Sequence, residues 1–182
     1  VPVPGRVALD LEGDAIPETS AYCDDCETSG PPLEVPFSVD ANLDEVVPAA
    51  VWSIYYSAGQ SCEARSRVLV EQSIYDEFVE RFSDLAQALK VGDPLEAETQ
   101  MGSLISQEHR SRVHGFVEKG VEEGAEVVTG GEPVDGNGAF YPPTVLAKVE
   151  NSMTVAQEEI FGPVVTVTPF EDEKDAARLA ND

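Results

Sequence analysis

Apolar residues recur at helical spacing through Val47, Val51, Ile54, Tyr55 and Ala58, predicting a helix that opens after Asn42 and stops at Gly59. Asn42 is a favourable N-cap, and Asp44 and Glu45 put acids in the first turn, where the helix dipole favours them. Pro48 conflicts with a helix beginning at Leu43, because proline lacks the interior N–H and crowds the preceding turn, so a bend or a later start is expected. The run from Arg67 to Val70 predicts a short strand. Ser73, with Asp76 three residues on, reads as the cap of a second helix. Its buried stripe would be Ile74, Phe78, Phe82, Leu85 and Leu89, and Gly92-Asp93-Pro94 would end it. Ser106 is the expected cap of a third helix running to Glu123, with Val113, Phe116, Val117 and Val121 facing inward and Gly124 closing it. Strands are expected at residues 125–129, around Val145 and at residues 163–168. A last helix runs from Asp172 to Ala180, where the chain end cuts it short.

Helices alternating with short β-branched strands imply an α/β fold, with a mostly parallel sheet flanked by helices. Residues 1 to about 38 break the pattern. They hold six of the thirteen prolines, eight acids and a single base, Arg6, without a sustained apolar period. That stretch reads as loop or poorly ordered extension.

With 182 residues, 42% of them apolar, the chain can bury one ordinary α/β core. Charge narrows the picture further. Against 35 acidic residues stand 11 basic ones, a net charge of −24. Such a field repels phosphate backbones and anionic lipid, so neither a nucleic acid nor a membrane is an expected partner. Lysine is scarce (Lys90, Lys119, Lys148 and Lys174), and an acid-rich, lysine-poor surface is similar to that of proteins from salt-loving cells, where dense salt screens the self-repulsion. No stretch approaches the roughly 20 apolar residues that cross a bilayer. The first residues lack a basic stretch followed by an apolar one, so no secretory signal is expected and a cytoplasmic location is.

Three cysteines cannot make a disulfide framework. Cys23 and Cys26 form one CxxC, whereas His109 and His114 are distant and five apart, so no metal site is expected. Two other segments carry chemistry. The first is Gly59-Gln60-Ser61-Cys62, where a cysteine follows the glycine that ends a helix, on a tight loop before a strand. Covalent catalysis needs a sulfur held and approachable in this way, although a small buried thiol fits the spacing equally well. The helix end and Glu63 both place negative charge beside the thiol, so activation has to come from backbone N–H donors or from positive charge on a cofactor. The second segment is Gln157-Glu158-Glu159-Ile160-Phe161-Gly162-Pro163. A carboxylate at a strand mouth can bind ribose hydroxyls and an aromatic can support a flat ring; a solvated acidic loop with a core Phe is the plainer alternative.

Together the two segments resemble the aldehyde dehydrogenase superfamily. Gly59-Gln60-Ser61-Cys62 is similar to its GQxC nucleophile signature, with Tyr55 at the aromatic position before it, and Glu159-Ile160-Phe161-Gly162-Pro163-Val164 to its EIFGPV signature. Intervening pieces match as well, among them Asp40-Ala41-Asn42-Leu43-Asp44, Val91-Gly92-Asp93-Pro94, Met101-Gly102-Ser103-Leu104-Ile105, the stretch from Glu123 to Gly131, and Pro142-Pro143-Thr144-Val145-Leu146. The resemblance divides the chain into a non-matching extension, residues 1–36, and a partial catalytic domain, residues 37–182. It implies a cofactor, NAD or NADP, and a small aldehyde as substrate. In this reading Cys62 attacks the aldehyde carbonyl. The oxyanion is held by the Cys62 backbone N–H and an Asn side chain, hydride passes to NAD or NADP, and water releases the thioacyl group as acid. Glu159 would bind the nicotinamide ribose and Phe161 would pack beside that end of the cofactor.

Departures from the family are also visible. Its general-base glutamate lies in a segment like LELGG before the nucleophile, and the usual offset falls here on Thr28, in a stretch unlike the family. The nearest similar run, Leu9-Asp10-Leu11-Glu12-Gly13, lies too far upstream and offers Asp10 as the candidate base. The dinucleotide-binding domain, the oxyanion Asn and the C-terminal strand through which the family forms homo-oligomers are not recognisable. The expectation is therefore a fragment, inactive alone, with residues 1–36 an insertion or a disrupted reading frame. Two other classes remain: a non-catalytic remnant with the same fold, and a thiol hydrolase using Cys62 with a histidine, although an exposed helix face accounts for His109 and His114.

Overall fold

The computed structural model describes residues 34–37, 41–136 and 138–181. Five strands form one sheet in the order β1-β2-β5-β4-β3: β1 (Glu34–Phe37), β2 (Arg67–Glu71), β3 (Glu126–Thr129), β4 (Thr144–Ala147) and β5 (Val164–Phe170). The first four in that order run parallel, with Val68 beside Val167 and Val145 beside Val165, and β3 closes the far side antiparallel to β4. The expected α/β fold with a mostly parallel sheet is the one observed. Its central strands are apolar without alternation because both faces are covered. Val68 and Val70 join the main core with α1 (Leu43–Tyr55), α2 (Tyr75–Ala88) and α3 (Gln107–Glu123), while Leu69, pointing the other way, meets Ala176 and Leu179 of α5 (Glu173–Ala180).

Several elements form as their sequence predicts. Asn42 caps α1 by accepting the Asp44 N–H at 3.2 Å, and Ser106 caps α3 by accepting the His109 N–H at 3.0 Å. Gly124 closes α3 in the left-handed conformation, φ 114°. Asp172 caps α5.

Others correct the reading. Helix α1 begins at Leu43 in spite of Pro48, which sits inside it on an exposed face where water can satisfy the carbonyl it releases. Ser73 does not cap α2: its hydroxyl donates to Glu71 at 3.0 Å, and Ile74 occupies the cap position. Leu85 and Val121, expected inward, are 42% and 48% exposed. Both stand at the margin of their stripes, where Ala86 and Gly120 take the buried positions. Residues 34–36, assigned to the extension, lie in β1. Its Pro36 is compatible with a strand at the sheet margin, where a missing N–H costs no ladder bond. The short helix α4 (Thr154–Gln157) had no sequence signal of its own, and Glu123 of α3 binds its first residue through the Thr154 N–H (2.6 Å) and hydroxyl (2.7 Å). Those two bonds, the hydroxyl's the larger effect, hold the Glu123 carboxyl below the usual carboxylate range.

Arg67, on β2, is 1% exposed. Its guanidinium donates to the Asn151 side chain and to the Leu179 carbonyl at 2.6 Å, tying the end of α5 to the sheet. Among the described residues no helix is long and apolar enough to cross a membrane.

Candidate active site

Helix α1 delivers the cysteine loop. Tyr55, fully buried at its last turn, donates its hydroxyl to the Thr144 carbonyl at 3.1 Å and packs on Phe82, which fixes the helix end over the start of β4. Burial pushes the Tyr55 phenol well above its ordinary range, so it stays a neutral donor. The chain then turns through three consecutive left-handed residues, Ser57 (φ 52°), Ala58 (φ 56°) and Gly59 (φ 70°). For the two residues bearing a Cβ this conformation costs about 1–2 kcal/mol each, so the surroundings must hold it. Gln60 does part of that: its amide nitrogen donates to the Ser57 carbonyl (3.1 Å), while its amide oxygen accepts the Ile105 N–H (2.8 Å). Cys62 and Glu63 occupy the middle of a tight turn closed by the Ala64 N–H on the Ser61 carbonyl at 3.0 Å. Cys62 is exposed, so the plainer reading as a buried thiol does not hold.

The acidic loop lies between α4 and β5. Ile160 is buried, Glu159 and Phe161 are half-buried, and Phe161 is left-handed, φ 56°. Among the described residues Glu159 has no hydrogen-bond or ion-pair partner. The Gly162 carbonyl accepts the Val164 N–H and the Pro163 carbonyl accepts the Thr144 N–H, both at 2.8 Å, so the loop is pinned where it feeds the sheet.

The two loops touch, backbone against backbone. A Cβ built on Gly59 would lie 2.0 Å from the Gly162 carbonyl oxygen, and one on Gly162 would lie 2.6 Å from a methyl of Val113. A glycine at position 59 allows this approach, which brings the loop of Cys62 together with that of Glu159 and Phe161, while the glycine at 162 lets the second loop lie against Val113 of α3. Asp10, Thr28, Cys23 and Cys26 lie outside the described residues.

Two residues that sequence reasoning passed over, and a third that it placed on an exposed face, lie near these loops. Trp52 in α1 and Tyr56 just past its end, 63% and 57% exposed with ring centroids 5.7 Å apart, form an aromatic pair where the chain leads into the cysteine loop. The helical period marks them only as outward-facing, and large exposed aromatics so close to a candidate nucleophile are the signal that was there to use. The third is His109, assigned to an exposed face but half-buried, with its Nε2 at 2.7 Å from the Phe161 carbonyl oxygen. A groove of about 250 Å³ between α1 and α2, lined by Trp52, Tyr55 and Leu85 among others, contains neither Cys62 nor Glu159.

The aldehyde dehydrogenase family pattern matches residues 36–182. The 5-carboxymethyl-2-hydroxymuconate semialdehyde dehydrogenase of Escherichia coli is 48% identical over 150 residues, covering 79% of this chain and 32% of that protein. Betaine aldehyde dehydrogenase of Bacillus subtilis (strain 168) is 44% identical over 147 residues, 79% of this chain and 30% of the relative. The crystal structure of betaine aldehyde dehydrogenase from Staphylococcus aureus in complex with NAD+ superposes with a TM-score of 0.80 at 39% identity, covering 84% of this chain and 31% of that one. The chain thus spans about a third of the length of these relatives. A family match that spans residues 36–182 and so includes both loops, on a fold shared with solved members, leaves one assignment: the chain belongs to the aldehyde dehydrogenase family.

Proposed function

We propose that residues 37–182 are part of the catalytic domain of an enzyme that oxidises a small aldehyde to its carboxylic acid with NAD or NADP, and that Cys62 is its nucleophile. The observation that supports the reading is the backbone contact between Gly59 and Gly162, because it joins the loop that carries the exposed Cys62 to the loop that carries Glu159. Cys62 adds to the carbonyl carbon as the thiolate, its proton having passed to water, and the carbonyl electron pair moves onto oxygen. The Cys62 backbone N–H, in its tight turn, donates to that oxyanion. The residues fit the cofactor: Glu159 is half-buried with its acceptor oxygens unused among the described residues, which suits two ribose hydroxyls, and the half-buried ring of Phe161 offers a flat surface beside it. When bound, NAD or NADP supplies the acceptor for the hydride leaving the tetrahedral carbon. Cys62 is left carrying the acyl group, and water releases it once a base takes the water's proton. Asp10 is the candidate for that base. Trp52 and Tyr56 offer an apolar wall for the rest of the aldehyde.

Glu159→Gln in a full-length enzyme carrying residues 37–182 tests the cofactor half of this proposal. The amide keeps one acceptor and loses the charge, so the cofactor KM should rise by about tenfold, while cofactor-independent ester hydrolysis at Cys62 stays unchanged. An unchanged cofactor KM would remove Glu159 from the site.

We also propose that the chain is adapted to high salt. A net charge of −24 repels itself strongly in dilute buffer, where the Debye length is about 30 Å at 0.01 M, and much less at molar salt. Raising KCl from 0.01 M to about 2 M should lift the melting temperature by about 10 °C or more. A melting temperature flat across that range, followed by circular dichroism, would count against the adaptation.

A further inference from the structure

Three of the four non-glycine residues with positive φ among those described, Ser57, Ala58 and Phe161, belong to the two touching loops. The strain at Ser57 and Ala58 is held by Gln60, and at Phe161 the corresponding partner is His109. We propose that His109 is a positioning residue: its Nε2–H donates to the Phe161 carbonyl and so holds the cofactor loop, and through the Gly162–Gly59 contact the Cys62 loop, in the geometry the reaction uses. The proposal rests on the roles given above to Cys62 and Phe161.

A carbonyl oxygen only accepts, so at 2.7 Å the proton must sit on Nε2. The bond therefore survives in the neutral ring, provided the tautomer is Nε2–H. The histidine is itself well anchored. Its backbone N–H is bound by Ser106 in the first turn of α3, and its ring meets the Phe161 ring edge-on with centroids 6.4 Å apart. One turn along the same helix, Val113 occupies the space a Cβ on Gly162 would need. Helix α3 thus grips two consecutive residues of the loop, Phe161 through its carbonyl and Gly162 through van der Waals contact. The next carbonyl along, that of Gly162, is the atom against which Gly59 packs. Losing the His109 bond frees the Phe161 peptide to leave its left-handed conformation, and the Gly162 carbonyl would swing with it.

The test uses the 182-residue chain with Cys23→Ser and Cys26→Ser, so that Cys62 is the remaining thiol, and compares His109→Ala, His109→Gln and His114→Ala. Amide hydrogen exchange is read at residues 160–162, at Val164 and at residues 59–62, and long-range 1H–15N correlation reads the tautomer of the unsubstituted ring. His109→Ala should speed exchange in both loops by about tenfold, the factor of one lost hydrogen bond. His109→Gln, which keeps an N–H donor, should restore most of the protection, and His114→Ala, on the same helix, should change neither loop. The neutral ring should be the Nε2–H tautomer. Exchange unchanged in His109→Ala, no recovery in His109→Gln, or an Nδ1–H ring in the parent chain would each overturn the proposal. If His109→Ala fails to fold, the tautomer and His109→Gln decide. None of these readouts needs cofactor or turnover, so a failure here is distinguishable from a failure of the proposed oxidation.

Discussion

Cys62→Ala, placed in a full-length enzyme carrying residues 37–182, is expected to lower aldehyde oxidation by on the order of 10⁴-fold or more, because the proposed mechanism routes hydride loss through a covalent adduct on Cys62. The same change should leave the melting temperature within about 2 °C of the parent, since Cys62 is exposed and its turn is closed by the backbone bond between Ser61 and Ala64. In an enzyme that also carries residues 1–36, Cys23→Ala and Cys26→Ala should have no effect on turnover. The measurement is initial rate from reduced-nicotinamide absorbance at saturating cofactor, beside a thermal melt for each variant. Turnover retained in Cys62→Ala would sink the nucleophile assignment. A loss of turnover together with loss of folding would move Cys62 from chemistry to structure.

Gly59→Ala should be the most damaging small substitution outside the chemistry. Alanine at φ +70° carries about 1–2 kcal/mol of backbone strain before any contact is considered. Its Cβ would also lie 2.0 Å from the Gly162 carbonyl oxygen and 2.5 Å from the carbonyl carbon, main-chain atoms that cannot rotate away. One loop has to leave the other. A destabilisation of about 3 kcal/mol or more is expected, with the Cys62 and Glu159 loops separated even in molecules that fold. Gly115→Ala is the matched control. Gly115 lies in α3 at ordinary helical φ, and a Cβ there meets nothing within 4 Å, so the change should be neutral or stabilise by about 0.5–1 kcal/mol. Chemical denaturation of both variants in molar salt makes the comparison. Equal stabilities would mean that the two loops do not pack as described.

The elements of this chain were largely legible in its sequence, because the signals that define them are local. Asn42, Ser106 and Asp172 each offer an oxygen to the first free N–H groups of a helix, and Gly124 accepts the left-handed turn that ends one. Short β-branched runs identified β2 and β5 as strands, and their unbroken burial shows that both faces are covered. The two signature segments carried the family, and they did so through the order of residues alone. What sequence could not carry is whatever depends on a distant partner. Arg67 reads only as the start of a strand, and its burial is a tertiary matter, because Asn151 and the Leu179 carbonyl, 84 and 112 residues away, receive its hydrogen bonds. Residues 34–36 read as loop because four residues with a proline have no period, and only the neighbouring β2 makes them a strand. His109 reads as an exposed helix residue, since nothing within its own turn reveals that the Phe161 carbonyl, 52 residues on, lies at 2.7 Å. The contact between Gly59 and Gly162 is of the same kind. Either glycine alone is a turn signal, and that two loops a hundred residues apart meet through them is settled only when the sheet brings α1 and β5 together. Local backbone chemistry therefore determined the elements, and the site became one place through packing, which no single stretch of sequence records.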